Sequence, residues 1–180
     1  SDICMILDEC PPYPCEREYA AESLALTQRW AERTRDWIET HRPPGQRYFG
    51  IVQGGCYGEL REKAARDLVD LDFDGYAIGG LSVGEPVPEM LKAADVAAPI
   101  LPANKPRYAM GLGQPDQLLE LISRGIDMFD CVLPTRGARN GTAYTAVGTI
   151  NLVRHAIEAG TFADFMAVFI RRYRGEKIDA

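Results

Sequence analysis

The sequence predicts an α/β fold made of about five parallel βα units, as in part of a (β/α)8 barrel or in an open doubly wound sheet. Five short apolar runs recur along the 180 residues, and each ends in a glycine-rich or polar turn. An amphipathic stretch of helical length follows four of the five turns. Continuous apolar runs are typical of strands that are buried on both faces, as in parallel sheets between helices.

The first unit starts with the apolar run 3–7, which ends in Asp8 before a proline-rich loop. A long amphipathic helix is predicted over residues 17–40, because leucine, isoleucine and several alanines recur there at helical spacing. Prolines and a glycine at 43–45 stop this helix, since proline cannot continue the helical hydrogen bonding.

The next three units repeat this pattern of an apolar strand, a glycine-rich turn and a helix. The predicted strands lie at 48–52, 75–78 and 108–110. The predicted helices lie at 58–69, 88–97 and 115–123. Five units are fewer than eight, so periodicity alone is compatible with part of a barrel or with an open doubly wound sheet. Both folds bind ligands at the carboxyl ends of their strands.

The fifth unit, residues 125–141, carries the most chemistry. Its apolar run ends in Asp130 and leads into an exposed polar loop with Arg136, Arg139, a proline and two glycines. A carboxylate at a strand exit can act as a nucleophile or a base, and two nearby arginines can bind phosphates. From these residues alone, a capping aspartate followed by two solvated arginines remains an equal alternative.

The rest of the chain predicts a small hairpin near residues 142–152 and helices over residues 153–174, broken at Gly160. With 46% hydrophobic residues, a chain of this length can bury one sizeable core. We therefore interpret residues 1–180 as a single, partial barrel domain.

Charge and cysteine content narrow the function. The net charge is −6, but residues 1–132 hold 13 basic and 22 acidic side chains, whereas residues 133–180 hold 7 and 4. A polyanion should therefore meet the C-terminal part.

The five cysteines form no Cys-x-x-Cys pair, which favours reduced thiols and indicates no metal site. The lack of a signal peptide or a membrane-length apolar run predicts a cytoplasmic protein.

Polar motifs stand at the carboxyl ends of all five predicted strands. They are Asp8-Glu9-Cys10-Pro11-Pro12-Tyr13-Pro14, Val52-Gln53-Gly54-Gly55, Gly79-Gly80-Leu81-Ser82-Val83-Gly84-Glu85, Tyr108-Ala109-Met110-Gly111-Leu112-Gly113 and the stretch 125–141. In this order they closely resemble the bacterial tRNA-guanine transglycosylases, and the resemblance covers nearly all of residues 1–152.

The resemblance implies a TIM-barrel glycosyltransferase that acts on tRNA. Such an enzyme exchanges the guanine at the anticodon wobble position for a 7-deazaguanine, preQ1 in bacteria, in queuosine biosynthesis. Asp130 matches the family's nucleophile, which binds the ribose covalently during a double displacement. Arg136 and Arg139 match contacts to the tRNA backbone. A cytoplasmic homodimer is also implied.

The resemblance assigns a pocket for the flipped-out base as well. Asp8 would accept hydrogen bonds from the N1–H and the exocyclic amine of guanine. Gln53 and the backbone N–H of Gly80 would lie near the base carbonyl, and Tyr108 would stack on the ring. The remaining pocket residues implied are Cys10, Gly79, Leu81, Met110 and Gly111.

The sequence departs from the family pattern in two places. Barrel strands with a second catalytic aspartate would precede Ser1, and a zinc-binding insertion would follow Leu152. A structural zinc is therefore expected for the family, but its ligands are absent from this sequence.

Two other functions stay open. One is a non-catalytic tRNA-binding or partner subunit of the same family, and the other is an unrelated barrel enzyme whose glycine turns bind a phosphorylated small molecule.

Overall fold

The computed structural model describes residues 1–139 and 156–174, where five parallel strands alternate with helices. The strands are β1 (Ile3–Met5), β2 (Arg47–Val52), β3 (Gly75–Ile78), β4 (Arg107–Ala109) and β5 (Met128–Phe129). The helices with both ends in these ranges are α1 (Arg17–His41), α2 (Gly58–Asp70), α3 (Val87–Ala97), α4 (Pro115–Ser123), α5 (Leu133–Arg139) and α6 (Phe162–Tyr173). Within these two ranges, no helix is long and apolar enough to cross a membrane.

The five strands form one sheet whose order follows the chain from β1 to β5. Each strand is hydrogen-bonded in parallel to the next, as in the pairing of Val52 with Ile78 and of Ala109 with Phe129. A doubly wound sheet reverses its order at a switch point, whereas a barrel adds every new strand on the same side. The predicted α/β fold with barrel-type βα units is therefore confirmed, and a doubly wound order does not fit these strands.

Helix α1 packs through a narrow face of mostly small side chains. Its buried positions Ala20, Leu24, Thr27 and Ala31 recur every three or four residues, which places them on one side of the helix. Helix α2 contacts both α1 and β2, and α3 in turn contacts α2. The helices therefore follow one another around the outside of the sheet in chain order.

The core lies between the helices and strands β2 and β3. Every residue of β3, and every residue of β2 after Arg47, is buried. Gly75 pairs with Phe49 across these two strands, and a Cβ atom at Gly75 would lie 2.4 Å from the Phe49 ring. The aromatic ring thus fills the space that a side chain at residue 75 would need.

The predicted loop after the fifth strand is wrong for residues 133–139, which form helix α5. Pro134 stands in its first turn, where a missing N–H costs no helical hydrogen bond. The Arg136 N–H donates to the Val132 carbonyl at 2.8 Å, which starts the helix directly behind the strand end. The predicted hairpin at 142–152 lies outside the described residues, and the single-domain interpretation stays a prediction.

Candidate active site at the carboxyl ends of the strands

Each strand of the sheet is followed by one of the predicted site residues. Asp8 comes three residues after β1, while Gln53, Gly79, Met110 and Asp130 directly follow β2, β3, β4 and β5. Because the strands are parallel and adjacent, their carboxyl ends lie along one edge of the sheet. The fold therefore gathers these residues, which are up to about 120 positions apart in sequence, along that edge.

Asp8 and Gln53 form a hydrogen-bonded pair. The Gln53 Nε2 donates to Asp8 Oδ2 at 2.6 Å, and Gln53 itself is only 1% exposed. The opposite amide orientation would turn an oxygen acceptor toward the carboxylate, so the donor must face Asp8. An amide nitrogen carries two hydrogens, and Asp8 uses one of them, which leaves the other for a further acceptor.

Gly79 and Gly80 make room for the Gln53 amide. A Cβ atom at Gly79 would lie 2.7 Å from Nε2, and one at Gly80 would lie 2.5 Å from Oε1. Gly80 also has a φ of +63°, a backbone conformation that favours glycine. The Gln53 Oε1 is buried and has no hydrogen-bond partner in the described part of the chain. Such a buried, unpaired polar atom is typical of a site that a ligand completes.

Asp130 is held by two neutral donors from the neighbouring strand end. The Tyr108 hydroxyl donates to Oδ1 at 2.5 Å, and the Gly111 backbone N–H donates to the same oxygen at 2.8 Å. Among the residues described, none hydrogen-bonds to Oδ2. The exposed carboxylate is thus oriented through one oxygen, while the other is available for chemistry.

Burial and the contact with Asp130 both keep the Tyr108 hydroxyl protonated. Burial, followed by the hydrogen bond and the negative charge of Asp130, raises the pKa of Tyr108 to about 12. The phenol therefore stays neutral at physiological pH and remains a donor. This contact was not part of the sequence prediction, which gave Tyr108 a stacking role, and that role stays a prediction.

The remaining predicted pocket residues lie near these two groups. Leu81 is buried, Met110 is half-buried, and the Met110 N–H donates to the Ile78 carbonyl at 3.3 Å. Burial and the Asp8 carboxylate raise the pKa of the Cys10 thiol, so Cys10 is a neutral group at physiological pH.

Arg61 is a central residue that the sequence analysis missed. It lies on the inner face of α2 and is fully buried. Its guanidinium donates to the backbone carbonyls of Gly55, Gly79 and Gly80 at 2.6, 3.1 and 3.2 Å. Burial lowers the pKa of Arg61 to about 10, which still leaves it cationic at neutral pH. The sequence does contain a signal for this residue, because an arginine at position 61 interrupts the apolar face that residues 60–68 form on α2.

The predicted tRNA-binding arginines both belong to α5, the helix that follows Asp130 along the chain. Arg136 is on the surface of α5 and forms no ion pair with any residue in the described ranges. Arg139 is the last residue of α5, and its side chain lies outside the described part.

No group of three or more His, Cys, Asp or Glu side chains within 1–139 and 156–174 is arranged to hold a metal ion. The structural zinc that the resemblance implies for the family stays a prediction, and none of the described residues is assigned to it.

Comparison with known proteins gives one consistent family. A family model described as queuine tRNA-ribosyltransferase matches residues 1–155. The chain is 58% identical over 163 residues to a queuine tRNA-ribosyltransferase of Pelotomaculum thermopropionicum, covering 91% of the chain and 43% of the relative. It is 58% identical over 151 residues to the protein of that name from Listeria welshimeri, covering 83% and 39%.

A third relative, the queuine tRNA-ribosyltransferase of Halalkalibacterium halodurans, is 56% identical over 163 residues, which cover 90% of the chain and 42% of the relative. The chain therefore spans about two fifths of the length of the curated relatives it matches.

Proposed function

The chain belongs to the queuine tRNA-ribosyltransferase family, the tRNA-guanine transglycosylases, and from this membership we propose that it carries the nucleophile and the base pocket of such an enzyme. The reaction is the exchange of a guanine in tRNA for a free 7-deazaguanine base. The observation that carries the proposal is the oriented Asp130 carboxylate, with Oδ1 bound and Oδ2 open, on the same sheet edge as the Asp8–Gln53 pair. Action on tRNA would also accord with the predicted cytoplasmic location.

Asp130 is proposed to act as the nucleophile. Its Oδ2 attacks the ribose C1′ and forms a C1′–O bond, while the C1′–N9 bond breaks and its electron pair leaves with guanine, which takes up a proton from solvent water. The N9 of the incoming base loses its proton to water, then attacks C1′ and releases the carboxylate. Two displacements retain the configuration at C1′. Tyr108 and Gly111 keep Oδ1 turned away from the sugar during both steps.

The Asp8–Gln53 pair is proposed to bind the edge of the base. The Asp8 carboxylate accepts hydrogen bonds from the N1–H and the exocyclic amine, both of which guanine and 7-deazaguanines carry. The second Nε2 hydrogen of Gln53 and the backbone N–H of Gly80 supply donors for the base carbonyl. The close packing of Gly79 and Gly80 on the Gln53 amide supports this assignment, because it brings the backbone of this turn next to the Gln53 side chain.

The nature of the incoming base and the assembly rest on the family resemblance. We propose preQ1 as the base, the tRNA anticodon loop as the polynucleotide partner and a homodimer as the working form. The surface position of Arg136, close in sequence to Asp130, supports a role in binding the tRNA backbone.

Incorporation of labelled guanine into unmodified tRNA with a G-U-N anticodon tests the proposal. Asp130→Asn removes the nucleophile with little change of shape, so we expect the exchange rate to fall on the order of a thousandfold or more. Asp127→Asn is the matched control, since Asp127 lies three residues earlier and accepts a hydrogen bond from the Arg107 N–H at 2.9 Å. It should retain the exchange rate.

The alternative outcomes are distinct. Binding of tRNA without exchange by the unsubstituted protein would indicate a non-catalytic tRNA-binding member of the family. Exchange that survives Asp130→Asn would refute Asp130 as the nucleophile.

A further inference from the structure

Arg61 forms hydrogen bonds to the two loops that follow β2 and β3, next to the proposed base pocket. Its Nε donates to the carbonyl of Gly55 after β2, and its Nη1 and Nη2 donate to those of Gly79 and Gly80 after β3. Gly54 packs directly on it, because a Cβ atom there would lie 3.1 Å from the Arg61 Cγ. One side chain of α2 therefore sets the relative position of both loops.

Burying the positive charge of Arg61 costs folding free energy, because the guanidinium is removed from water. Arg61 is fully buried, and among the described residues no carboxylate forms an ion pair with it. The other inward positions of α2 are Leu60, Ala64 and Leu68, which pack without such a cost. Replacing a buried charge by an apolar side chain is often neutral or stabilising in proteins, so packing alone does not account for a guanidinium here.

One of the peptide groups that Arg61 contacts carries the Gly80 N–H, which lies within hydrogen-bonding reach of the Cys10 sulfur, a predicted pocket residue. The carbonyl of Gly79 belongs to the same peptide unit as the N–H of Gly80, and the carbonyl of Gly80 shares its unit with the N–H of Leu81. A cationic donor on a carbonyl polarises the peptide unit and strengthens the N–H at its other end as a donor. The two bonds to the Gly79 and Gly80 carbonyls also hold this turn, in which Gly80 is in the left-handed conformation.

We propose that Arg61 is a positioning residue for base recognition, which acts by fixing and polarising the Gly79–Gly80 peptide so that the Gly80 N–H can donate to the carbonyl of the bound base. This inference rests on the proposed function, which assigns the Gly80 N–H to that carbonyl. Arg61 itself does not touch the base.

Binding of two bases separates this role from a general structural one. Guanine and 6-thioguanine share the N1–H and amine edge that faces Asp8, but sulfur is a much weaker acceptor than the carbonyl oxygen. Their dissociation constants are measured by equilibrium dialysis with labelled base for the unsubstituted protein and for Arg61→Met and Arg61→Lys. Methionine keeps bulk without donors, and lysine keeps the charge but cannot bridge three carbonyls.

We expect Arg61→Met to weaken guanine binding about tenfold and 6-thioguanine binding less than about threefold, as the loss of one hydrogen bond to the base predicts. Arg61→Lys should change the ratio of the two constants in the same direction. Arg66→Met and Arg66→Lys are matched controls, because Arg66 lies on the exposed face of α2 and pairs with Glu62. They should leave both constants unchanged.

The results that would overturn the inference are specific. Equal weakening of both bases in a folded Arg61 variant means that Arg61 supports the pocket as a whole, and unchanged binding means that it does not act on the base. If Arg61→Met does not fold, the inference is tested with Arg61→Lys alone, and an unchanged ratio of the guanine and 6-thioguanine dissociation constants would overturn it. Failure of the unsubstituted protein to bind either base would refute the proposed pocket itself, and hence the inference with it.

Discussion

Asp130 combines two properties that a carboxylate nucleophile needs. It is oriented, because Tyr108 and Gly111 bind its Oδ1, and neither of these donors is a cation that would form an ion pair with it. A cationic partner would hold the carboxylate more strongly but would lower its nucleophilicity. The arrangement therefore fixes the direction of Oδ2, the oxygen proposed to react, without an ion pair.

Titration of Tyr108 tests this contact. The pKa of Tyr108 is raised from 10 to about 12, so its stabilising contribution is complete below pH 10 and is lost as the pH rises through about 12. Absorbance titration of the phenolates should show one group near pH 12 that is missing in Tyr108→Phe. Asp130→Asn should lower that pKa toward 10, because it removes the negative charge that opposes ionisation.

Asp127→Asn serves as the control for this titration and should leave the Tyr108 pKa unchanged. If Asp130→Asn also leaves that pKa unchanged, burial alone sets it, and the hydrogen bond to Asp130 is not formed in solution.

The sheet depends on close packing between β2 and β3. Gly75 lies opposite Phe49, and the phenyl ring occupies the position that a side chain at residue 75 would take. Both strands are almost fully buried, so neither can move outward without disturbing a helix. This pair lies at the amino end of β3, opposite to the candidate site, where strand residues of barrels serve stability.

Gly75→Ala should lower the free energy of unfolding by about 1–3 kcal/mol, the usual cost of overpacking a core. Urea denaturation followed by circular dichroism measures the change. Adding Phe49→Leu should recover part of the loss in the double variant, because the two residues are in contact.

Gly58→Ala is the matched control, since a Cβ atom there would meet only Val96 at 3.7 Å. It begins α2, so alanine should leave stability unchanged or raise it slightly. A Gly75→Ala loss no larger than that of Gly58→Ala would contradict the close packing of Gly75 on Phe49.

The chain as a whole is acidic, but its charge is unevenly placed. Residues 133–180 hold 7 basic and 4 acidic side chains, and Arg136 in α5 follows six positions after the proposed nucleophile. A polyanion is therefore expected to meet residues 133–180 rather than the acidic remainder of the chain.

Arg136→Ala should weaken tRNA binding and reduce the slope of log affinity against log salt by about one contact. Filter binding at several salt concentrations measures both quantities. Lys92→Ala is the control, because Lys92 is exposed on α3 and pairs with Glu89 at 2.8 Å. An unchanged salt slope for Arg136→Ala would mean that Arg136 contacts no phosphate.

The helices and strands were predictable because their signals are local. Apolar runs, helical spacing and glycine or proline punctuation set α4 at 115–123 as predicted and placed α1, α2 and α3 within one residue at each end. Helix α5 was missed, because Gly137 and two arginines are typical of an exposed turn, whereas packing behind a strand end can make even such a segment helical.

The amino-acid pattern alone determined the class of fold, the family and the residues at each strand end, since periodicity and turn chemistry act over a few neighbouring positions. Only the tertiary structure decided the strand order, the bond between Tyr108 and Asp130 and the three carbonyls that Arg61 holds. The partners in these contacts lie 22 and up to 19 positions apart along the chain. A pattern of neighbouring residues cannot specify contacts between residues this far apart in sequence, because such contacts depend on how the intervening helices pack.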